Sequence, residues 1–212
     1  MPRPRFDNLP ADKRQRILEA AAYEFAEHGF KGASLNRIIE TAGISKGAAY
    51  YYFDDKADVY ATVLTEGWKI VLPADGLDLA ALDRTTFWPT LRDRYQQMVA
   101  AAGQQPWLIA VGKLFYGSAP SPALGRIVAD EITRVMAYVS DVIRRGQRVG
   151  AVRADVPAPL LVAVVGAALE AADRWSVEHA AELGPEGMDR IGTTLFDMIE
   201  RFVAPPDRKR RR

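Results

Sequence analysis

The sequence contains no cysteine, which excludes disulfides and thiolate metal sites. Its only histidines, His28 and His179, stand far apart in the chain, so neither a histidine-built metal site nor any cofactor is expected. An excess of either positive or negative residues is also missing. The formal net charge is +1, and basic and acidic residues balance over residues 1–60. A global positive field therefore cannot announce a nucleic-acid partner, and any such binding must rest on particular groups. Long hydrophobic runs are absent too. The longest uncharged apolar stretch, Val156 to Leu169, carries two prolines and is too short to cross a bilayer. The basic start Met1-Pro2-Arg3-Pro4-Arg5 is followed by no apolar signal core. A cytoplasmic protein with no membrane partner is expected.

Alternating strand patterns are nearly missing: valine and isoleucine fall within helical periods. With 49% hydrophobic and 26% charged residues, the composition is that of a folded globular chain. Helical signals recur along its length. From Pro10 to His28, Ile17, Ala21 and Phe25 recur every four residues, and Gly29 follows as a left-handed stop. Ser34 caps a short helix to about Ala42, Gly43 breaks it, and Ser45 caps a second running to Phe53. Asp55 and Asp58 resemble a capping box opening a fourth helix that ends at Pro73. After a loop over residues 73–83, five more helices are predicted at about 87–102, 106–116, 122–146, 157–180 and 185–203. The fold class is all-α, about nine helices.

The informative segment is residues 34–53. Two short helices joined by a tight turn make a helix-turn-helix, the DNA-reading motif. Leu35, Ile38, Ile39, Ile44 and Phe53 are the inward set. Ser45, Lys46, Gly47, Ala48, Tyr50 and Tyr51 are left facing out. A capped helix start offers amides to a phosphate. Lys46 can reach guanine acceptors and Ala48 a thymine methyl, while hydroxyls of Tyr50, Tyr51 and Tyr52 suit phosphates. Ser34 and Lys56 flank the motif as backbone clamps. The core and rim of a small bundle account for the same aromatic run, so this feature alone leaves both readings open.

The surrounding residues are Ile17-Leu18-Glu19-Ala20-Ala21, Phe25-Ala26-Glu27-His28-Gly29-Phe30, Ala33-Ser34-Leu35, Ala42-Gly43-Ile44-Ser45-Lys46-Gly47, Tyr50-Tyr51-Tyr52-Phe53 and Lys56. Together they make the chain resemble the tetracycline-repressor (TetR) family over about residues 11–60, without a gap. The resemblance implies a three-helix DNA-binding head, a connecting helix, and a helical body that binds ligand and dimerises. It places DNA contacts on Ser34, Asn36, Arg37, Lys46, Gly47, Ala48, Tyr50, Tyr51, Tyr52 and Lys56. The position of Tyr52 is often histidine in that family. It further implies a homodimer reading double-stranded operator DNA, with repression relieved by a small-molecule effector.

On this reading residues 11–72 form the DNA-binding domain and 83–204 the ligand-binding and dimerisation domain, with 205–212 a basic disordered tail. Small residues Ala163, Gly166 and Ala167 and the apolar Leu195, Ile199 and Phe202 are candidates for the subunit interface, with an internal close-packed helix equally compatible with the small ones. Trp88, Tyr95, Met98, Trp107, Phe115, Tyr116, Met136 and Trp175 supply either ordinary core or the wall of a pocket for an apolar or aromatic effector. A helical protein-interaction module is the alternative. An enzyme fits less well, since no glycine-rich phosphate loop follows a strand and the adjacent carboxylates Asp130 and Glu131 point apart on a helix.

Two inner positions depart from the family pattern: Ile39 stands where alanine is usual, and Ala49 where a large aliphatic is usual. These read as a volume-conserving exchange across the motif. Ile39→Ala alone should cost roughly 2–5 kcal/mol, and adding Ala49→Leu should recover much of it. Urea denaturation of both variants checks this, and a double mutant no more stable than the single one would refute the exchange.

Overall fold

The computed structural model describes residues 4–71, 77–117 and 119–206. Among these residues there is no strand. The helices are α1 (Pro4–Asp7), α2 (Ala11–Gly32), α3 (Leu35–Thr41), α4 (Lys46–Tyr52), α5 (Lys56–Val71), α6 (Phe87–Gly103), α7 (Trp107–Tyr116), α8 (Pro122–Val149), α9 (Ala158–Glu178) and α10 (Ala180–Val203). The all-α expectation holds, with one short α-helix, and a 3-10 turn at Leu79–Ala81, more than the sequence pattern suggests. That extra helix is α1, four residues long and too brief to show any period. Its Phe6 is fully buried, with its ring centroid 5.1 Å from that of Phe53. The basic tail Arg208–Arg212 lies outside the described residues.

Two compact units divide the chain. The first comprises α1–α5, α7 and the start of α8 as far as Glu131. The second comprises α6, the remainder of α8 from Ile132, α9 and α10. In the first unit α2 is the central strut. Its buried face of Ile17, Leu18, Ala21 and Phe25 meets Ile38 of α3, Phe53, and Val59, Val63 and Leu64 of α5. From α7 the same core receives Trp107, Ala110 and Leu114, so α7 belongs physically with the N-terminal helices. Val111 packs so closely on α5 that a side-chain carbon added at Gly67 would stand 2.8 Å from it.

The predicted helix ends are close, with instructive differences. Gly29 does take a left-handed φ of +63°, yet the chain resumes a helical turn to Gly32. The stop is therefore a kink. At the far end a short helical turn from Ala180 is broken by the non-helical Gly184 (φ +60°), and the long run to Val203 starts at Pro185, as the sequence predicts.

In the second unit Phe87, Leu91, Val139, Ile143, Val152, Leu161, Val165 and Val203 form the core. Arg92 of α6 grips Asp197 and Glu200 of α10 at 2.5 Å each and lies 4.7 Å from the Phe196 ring centre. The start of α6 is set by Asp83, which accepts from the hydroxyls and backbone amides of Thr85 and Thr86. These donors favour the ionised form and hold the carboxyl at about 2, against an ordinary 3.8. A depressed folded-state value stabilises the fold above the ordinary value and loses that contribution as pH falls through the folded one. The Asp83 carboxyl carbon should therefore titrate near 2 by NMR. An ordinary midpoint would show that this cap does not form.

Candidate nucleic-acid interface

The site is built by two helices of seven residues each, α3 and α4. Ser34 is extended and its Oγ accepts from the Arg37 amide at 3.4 Å. Ser45, also extended, accepts from the Ala48 amide at 3.2 Å. Both caps predicted from the sequence form, each satisfying an amide that would otherwise lack a partner. Between them Gly43 has φ +64°. Its amide donates to Glu40 O and the Ile44 amide to Ile39 O, both at 3.1 Å. This paired pattern is the Schellman stop, which ends α3 and turns the chain sharply into α4.

That turn sorts the side chains. Ile38, Ile39, Ala42, Ala49 and Phe53 are buried. Asn36, Arg37, Ser45, Lys46, Gly47, Tyr50 and Tyr51 are exposed, while Ser34, Ala48, Tyr52 and Lys56 are half-buried. Tyr50 and Tyr51 are 49% and 48% exposed, unusually open for such large rings, so the aromatic run is not simply core. Tyr52 leans inward, its ring 5.3 Å from that of Tyr51. The outward face of α4 thus offers a capped amide end, one ammonium, a glycine that permits close approach, and two phenol hydroxyls.

Two other predicted contacts are engaged within the protein. Arg37 is bound by Glu24 and donates to Gly32 O at 2.8 Å. Lys56 Nζ donates to Ala33 O at 2.9 Å and lies 4.9 Å from the centre of the Phe30 ring. The α5 start follows the near-capping-box pattern: Asp55 accepts from the Asp58 amide at 2.9 Å, and Asp58 accepts from the Asp54 amide at 3.2 Å. Glu24 is the polar residue that sequence reading missed. A carboxylate on an amphipathic helix carries no mark of its partner thirteen positions away.

The candidate pocket residues are scattered. Trp107 is fully buried in the first unit and donates to Gln105 at 3.0 Å. Phe115 stands between Trp68 at 4.8 Å and Tyr116 at 5.1 Å. Trp88 donates to Ala151 O at 3.1 Å. Trp88 and Tyr95 both pack on Phe196, at 6.0 and 5.4 Å, and burial, chiefly, pushes the Tyr95 hydroxyl up to about 12. Met136 lies against buried Gly166, and Met98 is half-buried. Trp175 is exposed, stacked on His179 at 4.2 Å, beside a shallow groove along α9. Of the interface candidates, Ala163, Ala167 and Phe202 are exposed and Leu195 and Ile199 half-buried. Among the described residues no acidic or histidine cluster is arranged to hold a metal, and no helix is long and apolar enough to cross a membrane.

The family model described as bacterial regulatory proteins, tetR family, matches residues 17–63, the stretch that contains this site. A transcriptional repressor of Mycobacterium tuberculosis is 29% identical, over 76% of this chain and 80% of its own length. The repressor AcnR of Corynebacterium efficiens is 26% identical, over 93% and 96%. Residues 17–63 thus match the tetR-family model, and along most of its length the chain is similar to transcriptional repressors. A TetR-family regulator from Chloroflexus aurantiacus is 26% identical in sequence and covers 96% of this chain and 99% of its own, with a TM-score of 0.57.

Gly43 holds a left-handed φ at the turn between α3 and α4. No atom lies within 4 Å of a side-chain carbon built there, so substitution costs backbone strain alone. Gly43→Ala should destabilise by about 1–2 kcal/mol, and Gly43→Asn by less. Thermal unfolding of the two variants checks the order, and equal stability of alanine and wild type would show that the left-handed turn is not required.

Proposed function

We propose that the protein is a sequence-specific DNA-binding transcriptional repressor, acting as a cytoplasmic homodimer and released from its operator by a small apolar or aromatic effector. The observation that carries this reading is the outward face of α4, where Lys46, Tyr50 and Tyr51 stand exposed at a capped helix start. In this assignment residues 11–72 read DNA, with Ser34, Asn36, Ser45, Lys46, Gly47, Ala48, Tyr50, Tyr51 and Tyr52 at the duplex, and residues 83–204 bind effector and dimerise. Two copies would present two α4 helices to successive major grooves.

Three further features support the reading. Leu160 and Trp175 on α9, and Met198 and Phe202 on α10, are 43–61% exposed, an apolar surface suited to a second copy. α7 packs on both α2 and α5, so a change at α7 reaches the head directly. Finally, the Trp68 Nε1–H is buried with no acceptor among the described residues, a costly arrangement that an effector carbonyl or hydroxyl oxygen relieves. The FadR regulator of Bacillus subtilis, 14% identical with a TM-score of 0.68, is known bound to stearoyl-CoA. An elongated acyl ligand is accordingly a sensible first probe. An effector that prefers the state with misplaced heads lowers DNA affinity by the same factor that DNA lowers its own.

Fluorescence anisotropy with DNA from upstream of the protein's own gene tests the proposal. Specific affinity should exceed that for scrambled DNA on the order of a thousandfold. The logarithm of the affinity should fall linearly with the logarithm of salt concentration, and Lys46→Gln should make that slope shallower by about 0.9. Equal, weak retention of both DNAs would leave an interaction module as the better account. Ligands raising the melting temperature should then displace the operator.

A further inference from the structure

The polar contacts around Glu24 form a closed set. Its Oε1 accepts from the Ser34 amide at 2.7 Å, and the carboxylate takes Arg37 through Nε at 2.9 and 3.1 Å and through Nη2 at 2.5 Å. Arg37 Nη2 also donates to Gly32 O at 2.8 Å. On the far side Glu24 Oε2 lies 3.7 Å from His28 Nε2. The Glu24 side chain is only 10% exposed, whereas that of Arg37 is 49% exposed. Hydrogen bonding to Arg37, first among several causes, holds the Glu24 carboxyl below its ordinary value.

The geometry has a mechanical meaning. Between Glu24 and Ser34 the chain passes the kink at Gly29, where the backbone direction is not fixed by continuous helical hydrogen bonds. Glu24 spans that kink. It ties the straight part of α2 to both the cap residue and the first turn of α3. Lys56 of α5 holds the intervening Ala33 carbonyl from another helix. A charged, forked pair fixes orientation as well as distance. Because α4 is joined to α3 by the rigid turn at Gly43, whatever sets the angle of α3 also sets where Lys46, Tyr50 and Tyr51 point.

We propose that Glu24 is the positioning residue of the helix-turn-helix, and that Arg37 is its strut and makes no phosphate contact. This rests on the DNA-binding reading above. It also revises the resemblance-based expectation that placed Arg37 at the duplex. Glu24 acts by presenting α3 at one angle. Losing the pair therefore weakens binding without removing a released counterion.

The same upstream DNA serves as the probe, titrated across salt concentration. Glu24→Gln and Arg37→Gln should each weaken binding on the order of tenfold, the loss typical of a hydrogen bond to a charged group, with the wild-type salt slope unchanged. Lys46→Gln is the contrasting control, with the slope reduced by about 0.9. The reversed pair Glu24→Arg with Arg37→Glu should bind more tightly than either Glu24→Arg or Arg37→Glu alone. A slope reduced by about 0.9 in Arg37→Gln would make Arg37 a phosphate contact and overturn the proposal, as would a reversed pair no better than its parts.

Amide exchange in the free, folded chain gives a reading that needs no DNA. The Ser34 amide should exchange about tenfold faster in Glu24→Ala than in wild type if Glu24 contributes about 1.4 kcal/mol to its protection. Unchanged exchange overturns the proposal. If wild type itself fails to retain the DNA, the regulator reading falls, and the Ser34 amide still decides whether Glu24 holds α3.

Discussion

Helices of seven residues do not persist alone in water, because nucleation costs more than so few hydrogen bonds return. α3 and α4 are both of that length, so the reading face exists only while neighbours hold it. Those neighbours are specific. Ile38 and Ala42 anchor α3 in the core built on α2, and Phe53 anchors the end of α4. Phe6 packs on Phe53, so the four-residue α1 braces the C-terminal end of α4. Capping adds to this at both helix starts, and the Schellman stop fixes the angle between them. Every outward group on α4 is thereby placed by an inward one.

The even charge balance of the head follows from the same division of labour. Of the basic residues near the motif, Arg37 and Lys56 are turned to carbonyls and a carboxylate inside the protein, while Lys46 is exposed. A head of this kind attracts DNA weakly through its overall field. Its affinity has to come from local donors such as the α4 amides, one ammonium and the phenol hydroxyls. Such contacts depend on geometry more than a diffuse positive surface does. This is why the angle of α3, and the carboxylate that sets it, matters more here than the count of positive charges.

What could be read in the sequence was local. Ser34, Gly43, Ser45 and Asp55 announce helix ends by chemistry that acts within a few residues, and each appears in the structure where its type predicts. Long-range pairings carry no such sign. Nothing in the order of residues joins Glu24 to Arg37, or draws α7 onto α2. The four residues of α1 are too few to show a period. The small residues of α9 show a similar limit: periodicity places Ala163, Gly166 and Ala167 on neighbouring turns, but Gly166 is buried beside Met136 while Ala163 and Ala167 are exposed. A spacing rule identifies a face without saying what covers it.

The bulky residues of the second unit show how a composition argument for a pocket loses force once contacts are known. Phe87, Trp88, Phe196 and Tyr95 form a continuous series of ring contacts joining α6 to α10, and Arg92 closes over Phe196 while bridging to Asp197 and Glu200. Rings packed edge to face or tilted at 5–6 Å hold helices together through dispersion and quadrupole attraction, and a ring so engaged has little surface left for a ligand. The group around α7 is arranged differently. Trp68 and Phe115 meet edge to face, yet the Trp68 indole N–H finds no acceptor among the described residues. A donor still to be satisfied marks the aromatic group around α7, whereas in the second unit the Trp88 N–H already donates to Ala151 O. By that criterion α5 and α7, which also pack against the head's central strut, are the better place to couple a ligand to DNA.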